Sequence, residues 1–171
     1  RLAIIKFARG GSSLALGASG FGSWDPDYNE KNSRNQYDNA LTAISTALSA
    51  SDIDGDGGSD RLIPKGIIWM QGEGDAYNNE HAVLKYEDNL RQLMNLLRAA
   101  LRVDDLPVVI GKIKDSGNTE ETRTMKYADE IQRAQAGFVE RDNCASFVTV
   151  TENFEFLPDR WHYLSENYLT L

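Results

Sequence analysis

The chain has 171 residues, 18 basic and 26 acidic side chains, a formal charge of −8 at pH 7 and 41% hydrophobic content, which fits one compact domain with a real core. The acidic excess argues against a nucleic-acid partner and against docking on an anionic membrane, and it is compatible with neutral substrates such as sugars or acyl esters. No apolar run is long enough for a membrane-spanning helix, and a single cysteine, Cys144, excludes an internal disulfide and a multi-cysteine zinc site without fixing a localisation.

Residues 2–8, Leu-Ala-Ile-Ile-Lys-Phe-Ala, read as a buried strand ending at Gly10-Gly11. A chain opening at Arg1 within an apolar run reads as part of a longer protein, incomplete at its N-terminal side. Residues 12–34, rich in Gly, Ser, Asn and Asp, read as a long loop. From Asn35 to Ala50, Tyr37, Leu41, Ile44, Ala47 and Leu48 recur at helical spacing. An acidic Gly-rich loop, 51–62, leads into a second buried strand, 65–70. Residues 77–102 form a long helix with Val83, Leu84, Tyr86, Leu90, Leu93, Met94, Leu97 and Leu101 on one stripe. A third strand follows at 107–113, a helix at 119–141, a fourth strand at 145–150, and a loop from Pro158 into a final helix. This alternation predicts a single α/β domain, a parallel sheet with helices on both faces. Such sheets bind ligands at the carboxyl ends of their strands.

The unusual residues fall at those ends. After the second strand comes Gln71-Gly-Glu73-Gly-Asp75. Two glycines allow close approach, and a Gln carboxamide at a strand tip can donate to a developing oxyanion. Glu73 and Asp75 read as supporting carboxylates, with Asp75 also suited to capping the 77–102 helix. After the first strand, Gly10-Gly11-Ser12-Ser13 can supply backbone N–H groups to an anion. Its serines read as turn formers, with Ser12 or Ser13 the alternative nucleophile.

Of the two histidines, His81 reads as an exposed helix residue. His162 follows Asp159 by three positions. A carboxylate at that spacing can bond Nδ1–H and leave Nε2 free as a base; a surface ion pair is the plainer reading. Asp52, Asp54, Asp56, Gly57 and Asp60 match positions of a calcium loop, although position 12 is Ile63. The same residues also read as a solvated acidic loop. A calcium bound there is structural, and no cofactor is expected for catalysis.

The blocks Ile4–Ser13, Trp69-Met-Gln-Gly-Glu-Gly-Asp-Ala76 and Asp159-Arg-Trp-His162 together resemble the SGNH (GDSL-like) hydrolases. The nearest branch is the sialate O-acetylesterase and acetylxylan esterase group, the sixth carbohydrate esterase family. The resemblance spans nearly the whole chain in the family's order. It implies a flavodoxin-like three-layer sandwich that removes acetyl groups from sugars through a serine acyl-enzyme. On that resemblance His162 is the general base, Asp159 its orienter, Gln71 a side-chain oxyanion donor, and Gly11 or Gly10 a backbone donor. The family's nucleophile block, which precedes the Gly-Gly-Ser block, has no counterpart in this chain. The expectation is an upstream segment of the same protein that completes sheet and site. A noncatalytic glycan- or calcium-binding domain on a hydrolase scaffold is the competing expectation.

Overall fold

The computed structural model describes residues 1–29 and 34–170. In chain order its elements are α1 (Gln36–Leu48), β1 (Ile67–Trp69), α2 (Glu73–Ala76), α3 (Glu80–Leu101), β2 (Val108–Gly111), α4 (Ala128–Arg141) and β3 (Ala145–Val148), then 3-10 turns at Val150–Asn153 and Ser165–Thr170. The three strands are parallel, in the order β1-β2-β3, with Ile67 opposite Val108 and Val108 opposite Ala145. Parallel neighbours need long crossovers, and α3 and α4 supply them. The α/β class and parallel sheet expected from the sequence are therefore present.

Two consecutive crossovers running the same way across a sheet land on the same face when both are right-handed. Accordingly α3 and α4 pack against each other and against one sheet face. The predicted stripe of α3 is the core: Val83, Tyr86, Leu90, Leu93, Met94 and Leu97 are buried, with Ile131 and Phe138 of α4 and Trp69, Val108 and Ile110 of the sheet. Leu84, predicted on that stripe, instead points to solvent. Arg98 locks the far end. Its guanidinium donates to both Asp142 oxygens, at 2.6 and 3.1 Å, and to the Leu106 carbonyl at 3.0 Å.

The opposite sheet face is different. Ile68 is 86% exposed, and among the described residues no helix covers it. Residues 2–8, predicted as a strand, belong to no ladder; Leu2 and Ile4 are exposed. A strand forms only where a neighbour supplies hydrogen-bond partners, and β1, at the sheet edge, pairs only with β2 among the described residues. Phe7 alone is anchored, edge-on against Trp24 at 5.7 Å.

The strands are shorter than expected, and three helical segments depart from expectation. The long helix starts at Glu80, because the Asn79 side chain caps it by accepting from Ala82 N at 3.1 Å. Asp75 is therefore not its cap. The helix predicted from 119 starts at Ala128, because the buried Asp115 carboxylate collects the N–H groups of Gly117, Thr124 and Met125 and holds 115–125 as a loop. The final helix is only a 3-10 turn. Within the predicted 12–34 loop, Ser23 bridges to Ser13 and to Asn35; positions 30–33 lie outside the described residues, as does position 171.

Candidate active site

Two segments distant in sequence, 10–15 and 71–75, are fastened together beyond the carboxyl end of β1. Gly74 permits the approach, since a Cβ there would lie 2.7 Å from the Ser12 carbonyl oxygen and 3.0 Å from that of Gly11. Gly72 is equally constrained: a Cβ would meet Ile131 at 2.9 Å and Ile113 at 3.0 Å. Asp75 is the clasp. Its buried carboxylate accepts from Leu14 N at 2.8 Å, Ala15 N at 2.9 Å and Gln71 Nε2 at 2.7 Å. Burial still outweighs these bonds and raises its pKa from 3.8 to about 6.

Gln71 is buried in the same network. Its second amide proton goes to the Ser12 carbonyl at 3.0 Å, and its backbone carbonyl accepts from the Tyr86 hydroxyl at 2.6 Å and Gln135 Nε2 at 3.1 Å. Both Gln71 amide protons are thus engaged, and donation to an oxyanion requires release of Ser12 or Asp75. The serine hydroxyls are engaged too. Ser12 donates to the Arg9 carbonyl at 2.9 Å and accepts from Trp24 Nε1 at 3.0 Å, while Ser13 donates to the Ala15 carbonyl at 2.8 Å. Both serines are buried. Gly10 and Gly11 are exposed, and Gly11 takes the left-handed φ of 74° that closes the turn.

The second half of the site is a tight turn. Asp159 Oδ1 accepts from Trp161 N at 2.8 Å and His162 N at 3.0 Å, and its Oδ2 lies 2.8 Å from His162 Nδ1. The two backbone N–H groups, then the imidazole, lower the Asp159 pKa to about 2. A permanently ionised carboxylate on Nδ1 fixes the tautomer with Nε2 as the free lone pair. The His162 side chain is 71% exposed. Tyr163 anchors the turn: it is buried, packs on Phe154 at 5.2 Å and accepts from Lys114 N at 3.2 Å.

Glu73 is the carboxylate between Gln71 and Asp75. Burial raises its pKa, while the N–H groups of Glu73 and Gly72 and the charge of His162 pull it down. The Trp161 ring also meets the Tyr77 ring at 5.6 Å. His81 lies apart on the exposed side of α3, as its neighbours suggested.

In the acidic loop, ligand oxygens of Asp52, Asp54 and Asp60 lie within 4.8 Å of one another. Asp56, expected in the same set, is outside this group. Its Oδ1 instead accepts from Gly58 N at 2.8 Å and its Oδ2 pairs with Arg1 at 3.3 Å.

The family model of carbohydrate esterases described as sialic acid-specific acetylesterase matches residues 1–171. The chain belongs to this carbohydrate esterase family. The Gln71–Asp75 and Asp159–His162 blocks lie within the matched span. The chain is also similar to a solved protein from Arabidopsis thaliana, whose X-ray structure is at 1.6 Å resolution. The TM-score is 0.59 at 21% identity, over 81% of this chain and 49% of that one. That likeness is one of fold, and this chain spans about half the length of that protein. No curated protein matches.

Sequence reasoning missed three features of this candidate site. The Glu73–His162 coupling joins residues 89 positions apart. The Asp75 clasp reads in sequence as a helix cap. The Tyr77–Trp161 contact has a faint signal, since two aromatic residues sit beside the two chemical blocks, but nothing in the spacing pairs them.

Proposed function

We propose that the protein is a carbohydrate O-acetylesterase acting through a serine acyl-enzyme, with His162 as general base and Asp159 as its orienting carboxylate. The observation that carries this reading is the 2.8 Å contact between Asp159 Oδ2 and His162 Nδ1 on an imidazole otherwise open to solvent. In the reaction Nε2 takes the serine hydroxyl proton as the oxygen attacks the acetyl carbonyl, and returns it to the departing sugar hydroxyl. Water repeats the sequence on the acetyl-enzyme and releases acetate. Asp159 stays ionised throughout and stabilises the imidazolium. Backbone N–H groups of the Gly10–Gly11 turn serve as oxyanion donors, with Gly11 preferred, and Gln71 steadies that turn through its bond to the Ser12 carbonyl.

The nucleophile is a serine from sequence outside these 171 residues. Two features support this. The Ser12 and Ser13 hydroxyls are buried and bonded to carbonyls. Among the described residues the outer edge of β1 has no strand partner, apolar residues 2–8 join no ladder and Ile68 is bare. A strand seated between 2–8 and β1 would connect to 2–8 by a crossover opposite in direction to those of α3 and α4. Right-handedness then puts its helix on the uncovered face, over Ile68. The substrate is an acetylated carbohydrate such as acetylated xylan.

A serine-directed phosphonate tests the assignment on the full-length protein. The expected label is on a serine outside residues 1–171. His162→Ala should abolish labelling and turnover, and Asp159→Asn should lower kcat by up to ~10⁴-fold. Label on Ser12 or Ser13 would place the nucleophile in this chain. A folded full-length protein that binds glycan, takes no label and is indifferent to His162→Ala would instead be a noncatalytic glycan-binding domain.

A further inference from the structure

Beside the His162 turn lies a cleft that the chemistry above does not use. Its volume is about 560 Å³, and Tyr77, Asn78, Asn118, Thr119, Lys126 and Tyr127 line it. That size is within the range of small-ligand sites and exceeds what one acetyl group occupies. The walls are firmly built. Lys126 N and Tyr127 N bond the carbonyls of Tyr77 and Ala76 at 3.1 and 2.9 Å. The opposite wall is the 115–124 loop, gathered on Asp115; Gly117 lets it double back, since a Cβ there would overlap the Thr122 carbonyl.

Tyr77, which lines the cleft, meets a second exposed ring, Trp161 of the His162 turn. Tyr77 is 56% and Trp161 39% exposed, with centroids 5.6 Å apart and planes tilted by 59°. Water-facing aromatics at a site mouth are costly to leave bare, and a pyranose offers the matching surface: an apolar C–H face for a ring and hydroxyls for neighbouring amides. Asn78, Asn118 and Thr119 supply such partners a short reach away. The backbone N–H of Trp161 also donates to the same Asp159 carboxylate that orients His162. A sugar on these rings is therefore held in fixed relation to the base.

Charge decides the kind of sugar. The cleft wall carries two cations, Arg123 and Lys126, and two acids, Glu120 and Glu130. Arg123 is paired with Asp129 at 2.6 Å, and the Lys126 ammonium sits 4.9 Å from the Tyr127 ring centroid. With Arg123 neutralised by Asp129, Glu120 and Glu130 outweigh Lys126, so the wall favours a neutral sugar over an anionic one.

We propose that this cleft is a glycan subsite in which Tyr77 and Trp161 hold a neutral sugar unit adjoining the acetylated one, so that the preferred substrate is a neutral oligosaccharide chain rather than a free acidic monosaccharide. The inference rests on the reading of His162 as the esterase base, and it assigns Tyr77 and Trp161 as substrate-positioning residues.

Titration calorimetry on the full-length protein tests it without turnover, so it stands or falls separately from the esterase assignment. The probes are unacetylated xylotetraose and N-acetylneuraminic acid. Xylotetraose should bind, with Kd raised about tenfold by Tyr77→Ala or Trp161→Ala, the worth of one ring contact. Tyr77→Phe, which keeps the ring, should retain wild-type affinity. Two substitutions guard against loss of fold in either, checked by melting temperature. Absence of xylotetraose binding, tighter binding of N-acetylneuraminic acid, or equal affinity in wild type, Tyr77→Ala and Trp161→Ala would each overturn the subsite. Loss of phosphonate labelling with xylotetraose binding intact would overturn the esterase reading alone.

Discussion

Replacing Asp75 by Asn is the sharpest probe of how the candidate site is held together. Asp75 is fully buried and ionises near 3.8 in an unfolded chain but near about 6 in the folded protein. Between those values the folded state keeps a proton that the unfolded state has lost, so stability falls as pH rises through this window. Below 3.8 the group imposes no penalty. Each tenfold difference in proton affinity is worth about 1.4 kcal/mol, so above pH 6 the full cost approaches ~3 kcal/mol. Asparagine removes the charge and the pH dependence with it. It also replaces one acceptor oxygen by an NH₂ group. Oδ2 serves both Leu14 N and Gln71 Nε2, whereas Oδ1 serves only Ala15 N. The amide therefore settles with its oxygen at the Oδ2 position and leaves the Ala15 N–H unpaired, at about 1–3 kcal/mol. Asp75→Asn should be less stable than wild type by about that amount near pH 4 and equal or more stable near pH 8. Urea unfolding, followed by the fluorescence of buried Trp24 and Trp69, measures both proteins across this range. Subtracting one from the other cancels the remaining titrations. A stability gap that stays flat from pH 4 to 8 would refute the claim that this carboxylate is a charge buried at a cost.

Other outcomes follow from the same geometry. Gly74→Ala puts a methyl group against the Ser12 and Gly11 carbonyls; it should cost about 1–3 kcal/mol of stability and lower turnover more than Gly10→Ala, for which a Cβ meets nothing within 4 Å. Equal effects of the two substitutions on kcat would remove the close approach of the segments from the account of the site. Calcium is expected to raise the melting temperature by binding the folded state at Asp52, Asp54 and Asp60. Asp60→Asn should abolish that rise and Asp56→Asn should not. Calorimetry showing no uptake at millimolar calcium would retire the metal.

Much of this was legible in the sequence because it depends on local period and local spacing. The α3 stripe from Val83 to Leu97 is a 3.6-residue pattern, and it faces the core as such a pattern must. The Asp159–His162 pair lies within one turn, so its spacing alone brought carboxylate and imidazole within reach, and the 2.8 Å contact followed. Departures arose where a distant partner decides the outcome. Residues 2–8 have the composition of a buried strand, yet composition supplies no ladder partner. Asp75 precedes a helix and has the residue type of a cap. Asn79, four residues later, caps α3 instead, and two N–H groups some sixty positions upstream claim Asp75. The stretch 119–127 has helical spacing in part, but Asp115 draws three N–H donors into a loop before a helix can use them.

These departures share one cause that bears on function. Asp75 and Asp115 are buried carboxylates that collect backbone N–H groups from segments with no regular structure of their own. Such segments are otherwise the least stable parts of a domain, because their amides have no ladder or helix to join. Asp75 fixes the 14–15 backbone beside β1, and Asp115 fixes the loop that walls the cleft beside Tyr77. The Asp159 turn repeats the device at the surface, its carboxylate holding two N–H groups and the imidazole together. The sheet sets where the site lies, and three aspartates, each holding neighbouring backbone by hydrogen bonds, set its shape.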